Sequence, residues 1–170
     1  MKNKGNKKGF TLIELLAVIV VLAIVAVLGA GLVLPALSSA RKNAFIVEAN
    51  NAIDAASRAV SYYQIGTLTA TEITSAGGKY TYSATSDDEF CFTLQSLVTL
   101  GVFDKKDLTG YSGTIKVKIP KSNNKAFTYT TSMKNSDFAI HSATGSVEDN
   151  EVNQIAGNTN STQTSVTASC

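Results

Sequence analysis

The sequence predicts an α+β protein: a long N-terminal α-helix with an apolar first half, and a small antiparallel β-sheet packed on the C-terminal half of that helix. Three observations predict it. Residues 15–37 (LLAVIVVLAIVAVLGAGLVLPAL) contain no charged side chain. Apolar residues then recur at helical spacing as far as Gly66. After Gly66 the chain changes to short runs rich in Thr, Ser and Tyr, several with strand-like alternation.

A chain of 170 residues has room for one globular unit and an appendage, not for two full cores. Lys2, Lys4, Lys7 and Lys8 place a block of positive charge ahead of the apolar run. Of 15 basic and 13 acidic side chains, removing those four lysines leaves 11 against 13, so the remainder is mildly acidic and exerts no general pull on nucleic acid. As a helix, residues 15–37 would be about 34 Å long at about 1.5 Å per residue, enough to cross a hydrocarbon core of about 30 Å. The positive-inside bias keeps the lysines cytoplasmic and places the C-terminal body outside. A cleaved secretory signal would end in small residues after a shorter apolar region, whereas this run continues into a patterned helix. A plain signal-anchor is the stronger alternative. Against it stands Glu14, a carboxylate at the start of the run, costly in lipid unless it lies at the interface or has a partner.

The segment Lys7-Lys8-Gly9-Phe10-Thr11-Leu12-Ile13-Glu14-Leu15-Leu16 resembles the class III signal of type IV pilins and of their relatives, the pseudopilins of type II secretion and the competence pilins. The resemblance implies cleavage between Gly9 and Phe10 by a membrane-embedded prepilin peptidase, with N-methylation of Phe10. It implies a leader at 1–9, a transmembrane and filament-core helix at 10–40, an amphipathic helical half at 41–66, and a β-rich body with a polar tail at 67–170. The implied function is that of a structural subunit of a pilus fibre serving adhesion, motility or surface attachment. Its implied partners are further copies of itself, the peptidase, the assembly platform in the membrane and minor pilins. Its implied location is the cytoplasmic membrane and then the cell surface. Two alternatives stay open: a pseudopilin of a secretion or DNA-uptake machine, and a membrane-anchored binding module that never polymerises.

The motif also has a physical reading of its own. Glycine at the cut lets a protease approach the backbone closely. The amine freed at Phe10 is cationic near neutral pH, and Glu14 lies four residues on, in the first helical turn. In a filament core that dries as subunits pack, an unpaired carboxylate costs several kcal/mol, and the amine of an incoming subunit could neutralise it. The plainer role for Glu14 is to favour the N-terminus of its own helix.

Gly29, Gly31 and Pro35 interrupt the apolar half. Proline removes a helical hydrogen bond and each glycine weakens the helix by about 1 kcal/mol relative to alanine, so a break is expected from Gly29 to Pro35. In the pilin family a proline with a nearby glycine marks where the helix loosens during assembly; here the proline comes later than usual. The second half carries Ala40, Ala44, Val47, Ala52, Ala55, Ala56, Ala59, Val60 and Tyr63 as its apolar stripe, and Gly66 as its C-cap. Residues 67–85 read as one or two weak strands around Gly77-Gly78. Residues 92–103 read as a short helix closed by Gly101, and strands are expected at 114–120, 126–133 and 138–141.

No catalytic constellation emerges, and neither a cofactor nor a metal is expected. His141 is the sole histidine, and neither serine nor cysteine has a recognisable base near it. Lys116, Lys118, Lys121 and Lys125 form a basic hairpin that could touch an anionic polymer, or simply protect an edge strand. Asp87-Asp88-Glu89 and Glu148-Asp149-Glu151 are calcium-site candidates or ordinary solvated turns. Cys91 and Cys170 both fall on the exported side, as a disulfide or as free thiols; a bond would stabilise the body by roughly 4 kcal/mol in the chain-entropy model. Residues 153–169, rich in Asn, Ser, Thr and Gln, have the composition of a flexible tail.

Overall fold

The computed structural model describes residues 10–105, 107–121, 126–155, 166 and 170, with backbone alone at 30–32. The chain divides into two compact units, Met1–Arg41 and Lys42–Cys170. Helix α1, Leu12–Gln64, contributes to both. It runs through Gly29, Gly31 and Pro35 without interruption, so the expected break is not present in this structure. Proline deletes one rung of the hydrogen-bond ladder, whereas a true break would leave several backbone groups on each side without partners.

In the first unit every residue from 10 to 40 with a described side chain is exposed, Leu12 at 85% and Val27 at 73%. In the second unit one face of α1 is buried, made by Phe45, Ala49, Ala52, Ile53, Ala55, Ala56, Ala59 and Val60. The expected stripe was correct from Ala52 onward. Its start was not, because Ala40, Ala44 and Val47 point outward and Phe45 and Ala49 point in. The large Phe45 ring sets the face, and small alanines on several sides of the helix could not reveal this. The helix ends in a Schellman turn: Gly66 adopts φ +76°, its N–H donates to Tyr63 O at 3.0 Å, and the Thr67 N–H donates to Tyr62 O at 2.9 Å.

Helix α2, Ala70–Ser75, occupies part of the stretch expected to be strand. Thr69 and Glu72 form a capping box that starts it: the Glu72 N–H donates to Thr69 Oγ1 at 3.2 Å, and the Thr69 N–H to Glu72 Oε2 at 2.8 Å. Strand β1, Lys79–Thr81, follows, and then β2, Asp88–Thr93, which takes Phe92 out of the expected helix. The remainder of that helix is α3, Leu94–Thr99, capped by Thr93 and closed by Gly101 at φ +71°. Strands β3 (Ser112–Ile119), β4 (Thr128–Lys134) and β5 (Phe138–Thr144) lie where the alternation placed them. A short β6, Val152–Gln154, includes Asn153 and Gln154, the first two residues of the expected tail. The rest of that tail, apart from Ile155 and Val166, lies outside the described residues.

The six strands form one antiparallel meander in the order β1-β2-β3-β4-β5-β6. Register aligns Phe92 with Ile115 and Thr131, and Phe90 with Val117 and Tyr129, so these side chains share one face. Their apolar members join Phe45, the α1 alanines, Ile73, Leu97, Met133 and Ile140 in a single core. Polar contacts fix the second half of α1 to this body. Asn50 donates to Val147 O at 3.2 Å and accepts from the Val147 N–H at 2.8 Å. Arg58 donates to Val102 O at 2.7 Å, and Lys105 pairs with Glu48 at 3.2 Å.

Candidate functional site

The N-terminal segment is built around Thr11 and Glu14. Thr11 precedes α1, and its N–H and Oγ1 both donate to Glu14 Oε2, at 2.7 and 2.8 Å. The Glu14 N–H donates back to Thr11 Oγ1 at 3.3 Å. This is a second capping box, which ties the carboxylate to its own helix start. Sequence reasoning singled out Glu14 but not Thr11, although a threonine three residues before a glutamate at the head of an apolar run is the signal for such a box. Phe10 is 88% exposed. Gly9 lies outside the described residues. Within α1, the most apolar stretch has a mean hydropathy of 3.1, and the helix is long and apolar enough to cross a membrane.

In the body, the basic hairpin and the first acidic cluster meet. Lys116 and Lys118 lie 3.9 and 3.7 Å from the carboxylate of Glu89, and Lys121 lies 3.6 Å from Asp88 and over the Tyr82 ring. Lys125 lies outside the described residues. Of the second acidic cluster, Asp149 pairs with Lys42 at 2.9 Å and Glu151 accepts from the Glu148 N–H. Among the described residues, no group of three His, Cys, Asp or Glu side chains is placed to hold a metal. His141 is exposed on β5. Cys91 and Cys170 are joined in a disulfide with Cα atoms 5.7 Å apart.

The model of the prokaryotic N-terminal methylation motif matches residues 4–30. The chain carries a type IV pilin-like class III signal. That match takes in Lys4, Lys7 and Lys8 of the basic leader, Gly9, Phe10, Glu14 and most of the apolar run. No curated protein and no solved structure matches the chain. The class III signal implies processing by a prepilin peptidase and handling by pilus-type assembly machinery in general. It supports a pilin-like or pseudopilin-like reading of the chain and fits anchoring in a membrane.

Proposed function

We propose that this chain is a structural subunit of a type IV pilus fibre, cut between Gly9 and Phe10, methylated at Phe10 and assembled through the first half of α1. The observation that carries this reading is an apolar helical segment with all of its described side chains exposed, lying directly behind a class III signal. Such a surface needs lipid before assembly and neighbouring copies after it. Glu14 then has two roles at one carboxylate. The capping bonds from Thr11 go to Oε2, and Oε1 remains for the Phe10 amine of the next subunit. Neutralising that amine in a dry core sets the register between copies. Gly29, Gly31 and Pro35 lie within a continuous α1 in the free chain, and their weak helix propensity makes them the residues at which it would give way on packing.

Mass spectrometry of the exported protein tests the processing: the mature chain begins at Phe10 with one added methyl group. An intact Met1 start, or a cut beyond Leu37, overturns the reading. Electron microscopy of cells with and without the gene separates a long pilus from a short pseudopilus and from an anchor that forms no fibre.

A further inference from the structure

On the sheet face opposite the core, antiparallel register places Cys91 directly between Lys79 of β1 and Lys116 of β3. Directly paired residues share a face with Cβ atoms about 4.5–5.5 Å apart, so a lysine stands on each side of Cys91, within reach of its sulfur by side-chain length. The neighbouring carboxylate on this face is Glu89, two residues earlier on β2. It is engaged by Lys116 at 3.9 Å and by Lys118 at 3.7 Å. Lys79 is exposed and forms no ion pair among the described residues. The two halves of the disulfide differ in access, Cys91 being 5% exposed and Cys170 open to solvent.

We propose that the Cys91–Cys170 bond is a thiol-exchange site, in which Cys170 Sγ is attacked and Cys91 Sγ leaves. A small-molecule thiolate forms a bond to Cys170 Sγ as the Sγ–Sγ bond breaks, and the electron pair departs on Cys91 Sγ as a thiolate. One disulfide replaces another, so the step needs no oxidant or reductant beyond the thiol. Exchange is faster when the leaving thiol is more acidic, and nearby cations stabilise a thiolate. Burial alone favours the neutral thiol at Cys91; the Lys79 and Lys116 ammonium groups oppose it. This exchange does not rest on the fibre reading.

The test is incubation of the detergent-solubilised full chain with excess reduced glutathione at neutral pH, followed by acid quenching, digestion and mass spectrometry. Glutathione is expected on Cys170, with Cys91 free to be alkylated. Replacing both exposed lysines, Lys79→Gln with Lys116→Gln, slows adduct formation about three- to tenfold, the effect of losing two cations beside a leaving thiolate. Lys79→Gln alone gives a smaller slowing and does not disturb the Lys116–Glu89 pair. Lys134→Gln, on the same face but away from Cys91, leaves the rate unchanged. The proposal is overturned by adduct mainly on Cys91, by equal adduct on both cysteines, by an unchanged rate in the double variant, by equal slowing in Lys134→Gln, or by no adduct on the folded chain.

Discussion

The two halves of α1 both draw on Ala, Val and Ile, yet their fates differ. From Phe10 to Ala40 the described side chains are exposed on every side of the helix, whereas from Phe45 to Val60 one face is closed by the sheet and the other carries Glu48, Asn51, Asp54 and Arg58. The difference separates two uses of apolar surface. An amphipathic stripe folds a chain onto itself; a helix apolar all round needs lipid or other copies.

Apolar truncations, one in the closed core that covers the second half of α1 and one in the exposed first half, test that division most strongly. Phe92→Ala, in the buried core and stacked on Phe90, is expected to destabilise the body by about 3–5 kcal/mol. Leu22→Ala in the exposed half leaves the thermal melt of the detergent-solubilised chain unchanged; a lowered melt for Leu22→Ala would break the comparison. Next in size, Glu14→Ala keeps processing, membrane residence and the body's melt intact while sheared fibre falls at least about tenfold, equivalent to about 1.4 kcal/mol in docking. Normal fibre yield would show that the carboxylate does not direct docking, and equal loss of the membrane pool would make it a stability residue. Asn50→Ala removes both bonds to Val147. It should cost the body about 1–3 kcal/mol in a denaturant titration, because the Val147 backbone groups lose their partners.

The smallest effect is one of pH. The Thr69 hydroxyl and backbone N–H hold Glu72 below its usual 4.5, and Thr109 holds Asp107 below its usual 3.8 by the same kinds of bond. Folded values lower than unfolded ones stabilise the body above the ordinary carboxylate range, and that contribution is lost as pH falls through the folded values. The body's melt should therefore decline below about pH 4.5, and less steeply in Glu72→Gln. An identical slope in that variant would remove the capping box from the explanation.

Legibility in the sequence followed the length and regularity of each pattern. Helix α1 was evident from its long apolar run, and β3 from the alternation of Ile115, Val117 and Ile119 with Lys116 and Lys118. Strand β2 was hidden because Phe90, Cys91 and Phe92 are consecutive buried residues, which erases alternation, and because Asp88 and Glu89 look like a turn. Helix α2 has only six residues, and its one signal was the Thr69–Glu72 capping pair. The methylation motif was legible because it is local and in register. The meeting of Cys91 with Cys170, and of Lys116 with Glu89, depends on strand pairing distant in sequence, which no local pattern encodes.

The disulfide also has a mechanical meaning. It closes a covalent loop between residues 79 positions apart, and strands β3 to β6 all lie inside that loop. Fully drawn out, so much chain would lengthen the molecule by about 280 Å at about 3.5 Å per residue. With the bond closed, tension applied between α1 and Cys170 can straighten only what precedes Cys91, and the sheet's last four strands are shielded from the load as a sealed reserve of length.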